Sequence, residues 1–407
     1  MNNKIKAAVA GAVLASASVA NAGITWDAGE WTVDMNGNVN AFAIVADNED
    51  ASAPVGAMAN ASSNDDTAAS INTGLLPSWL GFTATTRQND LDTSVTISFQ
   101  PGAGNTSALK GGNSANAATE NRQAFLTFGD KSWGSVKVGK DLGIFGSTAI
   151  LNDMTLLGVG AGSVSKGNTT TLGRIGTGYV YADWIGQIAY TTPNMNGFQA
   201  TLGITQPWTA NTTLSTSTVS SASSGTNDEF GLQGQASFSW TGDFAGKVWV
   251  GGFSQNVENI ADGGTGSSDT STAFEAGVST SIYNINLVAY GYSGEGLGTT
   301  SLLGDAYDTQ GNARDSDGGY VQATYVIPTG TKLGVSYGQS NLDSNAIDTG
   351  AVRGTLVESN EMLTIGAYHP LTKHLNLVAE FSNVESENQN GESNESDTFA
   401  LGAILFF

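Results

Sequence analysis

The sequence has no cysteine and few basic residues, and each absence limits what the chain can be. Without Cys, its 407 residues can form no disulfide framework and carry no cysteine nucleophile. Only 15 Lys and Arg stand against 37 Asp and Glu, which leaves a formal net charge of −22. Nucleic acids and anionic membrane surfaces bind clustered positive charge, so the composition argues against both partners. Pro is also scarce, at 7 residues, whereas Gly is abundant at 53, which favours strands joined by exposed loops.

The first 22 residues, MNNKIKAAVAGAVLASASVANA, predict a secretory signal peptide. Lys4 and Lys6 precede an apolar run that ends in Ala20-Asn21-Ala22, whose small residues suit a signal peptidase. The alternative is a short membrane anchor, but a spanning helix needs roughly 20 apolar residues and this run is shorter. We therefore expect cleavage before Gly23 and a single domain over residues 23–407. No other part of the chain has a long apolar run.

Apolar and polar residues alternate along many segments of that domain. Residues 91–100 read LDTSVTISFQ, with Val95, Ile97 and Phe99 on one face and hydroxyl-bearing residues on the other. Successive side chains of a strand point to opposite faces, so this period predicts strands with one apolar and one polar face. The pattern predicts about sixteen strands, near residues 31–45, 78–87, 91–100, 120–128, 135–140, 184–192, 198–206, 229–240, 247–254, 273–282, 285–292, 319–327, 332–339, 361–368, 375–384 and 397–407.

The connections between these segments alternate between short and long. Short connections such as PNMNG (193–197) and PTGT (328–331) are followed by long stretches rich in Gly, Ser, Asn and Asp. Ten-residue strands with short turns at one end and long loops at the other are typical of a transmembrane β-barrel. An even strand count also lets the first and last strands pair and leaves no free edge. A soluble sandwich or solenoid would show the same period, but aromatic residues near the strand ends favour the barrel.

Three stretches resemble the Gram-negative general porins, the trimeric, sixteen-stranded outer-membrane family. NRQAFLTFGDKSWGSVKVGKD (Asn121–Asp141) resembles the family's fourth and fifth strands, which lead into an inward-folded third loop. QIAYTTPNMNGFQATLGI (Gln187–Ile204) resembles its hairpin with a Pro-Asn-x-Asn-Gly turn. DTFALGAILFF (Asp397–Phe407) resembles its C-terminal strand, whose final Phe is the assembly signal. We expect Phe407 to lie at the seam where this strand pairs with the segment from Trp31.

The resemblance implies an all-β, transmembrane antiparallel barrel of about sixteen strands with a long third loop folded into the lumen. It also implies the outer membrane of a Gram-negative bacterium, a homotrimer, contacts with outer-membrane lipid and lipopolysaccharide, and recognition of the C-terminal strand by the barrel-assembly machinery. The implied function is passive diffusion of small hydrophilic solutes and ions, without a reaction or a cofactor. The alternative is a secreted or surface-exposed β-rich protein that binds glycans or acts as an adhesin, which would not need a terminal Phe strand.

The predicted third loop lies within Asp141–Asp183, the longest stretch between strands. Its part FGSTAILNDMTLLGVG (145–160) has apolar residues at helical spacing. Asp153 in that part either projects into the channel or caps a short helix. Charged residues of the wall would face it, although a salt bridge that tethers the loop is an alternative role for Lys140. The predicted constriction residues are Arg87, Lys137, Lys140, Asp141 and Asp153.

Parity within the strands predicts that Asp34, Glu275 and Glu380 also point into the lumen. Members of the family often carry several Arg on the wall that faces the third loop, whereas basic residues are sparse here. Because charges in a narrow passage discriminate ions by sign, the total charge predicts a mild preference for cations.

Acidic segments in the outer loops, such as ESENQNGESNESD (385–397), are either simply solvated or bind Ca²⁺ or Mg²⁺ that bridges to lipopolysaccharide phosphates. Their spacing defines no cage for a metal. GSVKVGK (134–140) has the spacing of a phosphate-binding loop, but Asp141 stands where Ser or Thr should hold Mg²⁺. The sequence therefore predicts neither a metal site nor an active site.

Overall fold

The computed structural model describes residues 23–49, 54, 56–59, 67–104, 119–164, 170–210, 229–258, 260 and 268–407. The predicted signal peptide, residues 1–22, lies outside the described residues. Within them, no helix has the length and hydropathy needed to cross a membrane.

Strands dominate the described part of the chain. They are β1 (Ile24–Ala28), β2 (Trp31–Asn48), β3 (Thr67–Asn72), β4 (Trp79–Gln88), β5 (Leu91–Gln100), β6 (Glu120–Asp130), β7 (Gly134–Leu142), β8 (Ala161–Val164), β9 (Thr171–Gly173), β10 (Trp184–Thr191), β11 (Phe198–Thr205), β12 (Gly231–Trp240), β13 (Phe244–Glu258), β14 (Ser268–Ile282), β15 (Ile285–Glu295), β16 (Asp315–Val326), β17 (Lys332–Leu342), β18 (Val357–Pro370), β19 (Leu375–Asn388) and β20 (Ser393–Phe406). Helical structure is limited to α1 (Ser147–Asn152), a 3₁₀ turn (Met154–Leu157) and α2 (Gly350–Arg353).

Sixteen of these strands close into an antiparallel barrel, as the alternating pattern predicts. The order runs β2, β4 to β7 and β10 to β20, and β20 pairs with β2 to complete the circle. Strand β1 pairs with the first residues of β2, beyond the end of β20, and β3 pairs with its last residues, beyond the end of β4. Strands β8 and β9 form a separate two-stranded sheet within the long β7–β10 connection.

The seam between β20 and β2 ends in a reciprocal pair of backbone hydrogen bonds. The amide of Gly37 donates to the Phe407 carbonyl at 2.9 Å, and the amide of Phe407 donates back at 3.0 Å. A Cβ at position 37 would lie 2.3 Å from the carbonyl oxygen of Trp79 and 2.8 Å from the Phe407 ring. Only glycine therefore fits where β4, β2 and the chain end meet, and the terminal residue lies at the closure.

Tight turns join the strands at one end of the barrel, here called the short-turn end. Asn89 and Asp90 connect β4 to β5 with φ values of 49° and 62°. Two consecutive positive φ values are those of a type I′ turn, whose twist matches that of the flanking strands. The other end carries the longer connections, and several strands extend there beyond their predicted limits, as β13 does to Glu258. In barrels of this kind the short turns face the periplasm.

The two faces of the barrel strands differ in what they contact. Large apolar side chains are exposed along one face, for example Val39, Leu202, Phe274, Ile365 and Leu401. A soluble monomer rarely exposes so continuous an apolar surface, whereas lipid requires it. The alternate residues of the same strands are largely buried or half-buried and form what we call the buried face. On β12 to β19 this face packs against the connection between β7 and β10, residues 143–183, here called the long loop.

Candidate functional site

Glu275 on the buried face of β14 binds the first part of the long loop. Its side chain is 4% exposed. The carboxylate accepts hydrogen bonds from the backbone amide of Gly146 at 3.0 Å, from Tyr290 Oη at 2.9 Å and from Gln235 Nε2 at 3.1 Å. Three donors surround this buried anion, which offsets the cost of removing it from water. Parity placed Glu275 on this face, and the structure gives it the role of a loop anchor.

Glu380 on β19 binds the long loop further along the chain in the same manner. It accepts from the backbone amide of Val159 at 2.6 Å, from that of Gly160 at 2.9 Å and from Tyr368 Oη at 2.5 Å. A Cβ on Gly158 would lie 2.1 Å from a carboxylate oxygen of Glu380, so the loop backbone fits against this side chain only because residue 158 is glycine. Two buried carboxylates on β14 and β19 thus hold two separate points of one loop.

Side-chain amides between and beside these carboxylates add further anchors. Gln322 on β16 accepts from the backbone amide of Met154 at 2.7 Å and donates to the carbonyl of Asn152 at 3.0 Å. Gln233 on β12 accepts from the backbone amide of Ile144 at 2.8 Å. Gln322 satisfies backbone groups between α1 and the 3₁₀ turn, and Gln233 satisfies an amide that precedes α1, which explains polar side chains at buried positions.

Arg174 is a cation of the long loop whose side chain is fully buried. Its guanidinium donates to three backbone carbonyls, those of Met362 at 3.0 Å, Ser336 at 3.1 Å and Thr177 at 3.3 Å. The group also lies 6.0 Å from the centroid of the Tyr320 ring. Arg174 therefore joins the loop to β17 and β18. Its surroundings are backbone oxygens and an aromatic face, which a sequence motif cannot reveal.

Asp153 is buried at the start of the 3₁₀ turn. Its carboxylate accepts from the backbone amide of Thr155 at 2.9 Å, from the Thr155 hydroxyl at 2.5 Å and from Tyr179 Oη at 2.9 Å. These contacts are those of the capping alternative, and 4% exposure leaves the carboxylate little access to water. A direct role in the pore stays a prediction.

Lys137 and Asp141 share the buried face of β7 and form an ion pair. Asp141 is 1% exposed and also accepts from Gln123 Nε2 at 3.0 Å, whereas the Lys137 side chain is about one-third exposed. Lys140 lies on the opposite, exposed face of the strand and donates to the carbonyl of Asn121 at 3.0 Å. The structure thus brings Lys137 and Asp141 together and separates Lys140 from them, because alternate residues of a strand point apart.

Arg87 and Asp34 lie nearer the short-turn end. Arg87, at the end of β4, is exposed and forms ion pairs with Asp92 at 2.8 Å and Asp130 at 2.9 Å. Asp34 on β2 is half-buried and accepts from Asn36 Nδ2 at 2.5 Å. Both residues stand apart from the Lys137–Asp141 pair.

Two lysines that the sequence reasoning passed over also lie on the buried face. Lys247 on β13 is half-buried two residues before the buried Trp249. Lys332 begins β17, and its Nζ atom lies 4.6 Å from the centroid of the Tyr368 ring. Lys247 lies two residues from Trp249, and Lys332 lies four residues from Ser336, so the alternation of a strand places each lysine on the same face as its buried neighbour.

A buried ion pair joins two of the longer connections at the end of the barrel opposite the short turns, here called the long-loop end. Arg314 donates to the Asp348 carboxylate through two nitrogens, at 2.6 and 2.8 Å, and also to the carbonyls of Asp305 and Tyr307. Burial raises the pKa of Asp348, but hydrogen bonds from Arg314 and the Asn345 amide outweigh it and hold that pKa below its ordinary value of 3.8.

Possible metal ligands do not assemble in the described part of the chain. No three His, Cys, Asp or Glu side chains there are placed to hold an ion. Solvation of the acidic outer loops and binding of Ca²⁺ or Mg²⁺ by them both stay open alternatives.

The chain matches the Gram-negative porin family over residues 7–389. It belongs to that family. Its fold is similar to that of the outer membrane channel DcaP of Acinetobacter baumannii, with a TM-score of 0.68, 17% identity and coverage of 95% of this chain and 99% of that one. It is also similar to an anion-selective porin from Comamonas acidovorans, with a TM-score of 0.61, 14% identity and coverage of 93% and 100%. OmpT of Vibrio cholerae in its trimer form gives a TM-score of 0.54, 14% identity and coverage of 93% and 100%.

No curated protein sequence matches this porin. Family and fold agree on an outer-membrane channel rather than an enzyme, and they do not favour the alternative of a glycan-binding or adhesive surface protein. They do not support the expected preference for cations, because the similar structures include an anion-selective porin.

Proposed function

We propose that this porin forms a water-filled channel for passive diffusion of small hydrophilic solutes and ions. The observation that supports this best is the unequal use of the buried face. On β12 to β19 it binds the long loop, whereas on β4 to β7 and β10 to β11 it carries small polar side chains that are partly exposed. Among these are Thr83, Thr96, Thr127 and Thr201. In a barrel whose other face is apolar, a partly exposed polar wall is a water-facing wall.

The long loop is the part that we propose to lie within the lumen and to narrow it. Glu275, Gln322 and Glu380 bind it from β14, β16 and β19. Its own Arg174 donates to β17 and β18, and only the concave side of a closed sheet lets so many strands reach one segment. Solutes would then pass between the loop and the polar wall of β4 to β7. A loop of this length with its own helical turns is usually functional.

Of the predicted constriction residues, the Lys137–Asp141 pair fits this path best, because it stands on the polar wall and Lys137 is partly exposed. Arg87 with its aspartates and Asp34 line the path nearer the short-turn end. We leave Lys140 out because it lies on the exposed face. The mild cation preference expected from the total charge is not supported by the family, and it depends on which charges face water.

We also propose that this porin is a homotrimer in contact with outer-membrane lipid and lipopolysaccharide, and that the assembly machinery recognises its C-terminal strand. The trimer form of the similar OmpT supports the homotrimer. The exposed apolar residues of β20, such as Phe399, Leu401 and Leu405, suit either lipid or a neighbouring subunit.

Swelling of liposomes that contain the purified protein tests the channel function directly. We expect neutral sugars to enter at rates that fall with size and do not saturate, since a passive pore has no turnover. Protein-free liposomes are the control. Intact, heat-modifiable protein that leaves the liposomes impermeable to every sugar would contradict the proposal, and recovery of the protein from the periplasm or medium would contradict its location.

A further inference from the structure

Three lysines of the buried face stand at intervals along the barrel wall near its short-turn end, and we call them the lysine collar. Lys137 and Lys247 are each the fourth residue after a short turn, and Lys332 is the first. Counted from β2, their strands β7, β13 and β17 are the fifth, ninth and thirteenth of the sixteen. With strands about 4.8 Å apart, neighbouring collar lysines are separated by roughly 20 Å along the wall.

The collar lysines differ in whether their charge is balanced. Lys137 is paired with Asp141. Among the described residues, none forms an ion pair or a hydrogen bond with Lys247 or Lys332. Both side chains are half-buried, and Lys332 lies against the Tyr368 ring. Glu275 acts on Lys247 through space, and Glu380 and Asp153 act on Lys332, in each case without an ion pair.

The nearest acidic groups to these two lysines are directed elsewhere. Glu275 and Glu380 are almost completely buried, and each accepts three hydrogen bonds, one or two of them from the long loop. Their charges are therefore enclosed between wall and loop. Asp34 on β2 completes the circle four strands before Lys137. Nearer the turns, Arg87 forms ion pairs with Asp92 and Asp130.

Part of the acidic excess of the chain lies on other surfaces. Glu361, Glu385 and Glu395 stand side by side on the exposed face of β18, β19 and β20 toward the long-loop end. Exposed charges separated by more than about 10 Å are screened at 0.1 M salt, so this group acts little on an ion inside the short-turn end. The total charge of −22 therefore does not represent the charge that a permeating ion meets.

We infer that the short-turn end of the channel favours small anions over small cations, and that Lys247 and Lys332 determine this preference. The inference rests on the proposed channel function and gives the opposite sign to the one expected from composition. One unpaired ammonium at about 6 Å in a water-like dielectric enriches anions roughly threefold and depletes cations by a similar factor. These two factors multiply, so we expect a chloride-to-potassium permeability ratio of about ten at low salt.

The test is the reversal potential in a KCl gradient across a planar bilayer, for the wild type, Lys247→Gln, Lys332→Gln and the double variant. Lys131→Gln is the matched control, because Lys131 is exposed in the turn between β6 and β7. We expect an anion-selective wild type, a loss of about half the selectivity in each single variant, and a ratio near one in the double variant. The control should match the wild type, and the preference should fade near 1 M KCl, where the Debye length is about 3 Å.

Two outcomes would overturn the inference while the channel function stands: a cation-selective wild type, or a double variant that keeps the wild-type ratio. If the double variant does not fold, as judged by heat-modifiable migration, the two single variants carry the same test. A folded wild type without any conductance would instead contradict the channel function itself.

Discussion

Glu380→Gln is the change that most sharply tests how the long loop is held. The carboxylate accepts from Val159 and Gly160 of the loop and from Tyr368 of the wall, at 2.5 to 2.9 Å. Glutamine has nearly the same shape, but its amide nitrogen is a donor and must face one of these donors. A hydrogen bond to a charged group contributes about 1.5–3 kcal/mol, and a buried donor left without an acceptor costs about 1–3 kcal/mol.

Taking about 3 kcal/mol as the combined loss, the ratio of attached to detached loop falls roughly a hundredfold, since each 1.4 kcal/mol is a factor of ten. Detachment of the loop widens the path. In single-channel recordings, Glu380→Gln should therefore spend roughly a hundred times more of its time at the larger conductance than the wild type does. The barrel should stay folded, because the strand pairing of β18, β19 and β20 is unchanged.

Glu385→Gln is the matched control, since Glu385 stands on the exposed face of the same strand. The substitution makes the same chemical change away from the loop. It should record like the wild type. If Glu380→Gln showed the wild-type conductance and the wild-type rate of transitions, the carboxylate would not hold the loop and the reasoning would be refuted.

Three further predictions concern the loops, the polar wall and the seam. Asp348→Asn should lower the free energy of unfolding by an amount on the order of 3–5 kcal/mol at neutral pH, because it leaves Arg314 buried without its partner. Because folding lowers the pKa of Asp348, the stabilisation is fully present above its ordinary pKa of 3.8 and is lost as the pH falls through the pKa of the folded state. Melting curves of wild type and variant should therefore converge in strong acid. A difference that stays constant with pH would argue against the pair. Asp141→Asn should shift the reversal potential toward anions more than Lys137→Gln shifts it toward cations, since the lysine is the exposed member; equal shifts would contradict this. Gly37→Val should reduce the yield of heat-modifiable barrel, because its side chain collides with the chain end, and a normal yield would show that the seam can adapt.

The barrel could be predicted because its cause is repeated. Lipid on one side and polar groups on the other impose a period of two on every strand, and each of the sixteen predicted segments overlaps one strand of the barrel. The ends of the strands were less predictable. Beyond the membrane, as in β13 up to Glu258 and β14 from Ser268, polar residues occupy both faces and the period disappears.

The site could be predicted only in part. Parity placed Glu275 and Glu380 on the buried face, but their partners are backbone amides more than 100 residues away, which carry no sequence signal. Both interpretations of Asp153 were open because an N-cap residue and a pore carboxylate look alike in sequence. The same parity, applied to Lys140 beside Val138, indicates the exposed face, and applied to Lys247 and Lys332 it indicates the buried face.

Planar-bilayer recording of the purified wild-type protein tests the central claim most directly. If the long loop leaves a water-filled path beside the polar wall, each insertion should give a steady current that is linear in voltage and rises in proportion to bulk salt. Folded protein that inserts without a steady conductance would contradict an open channel.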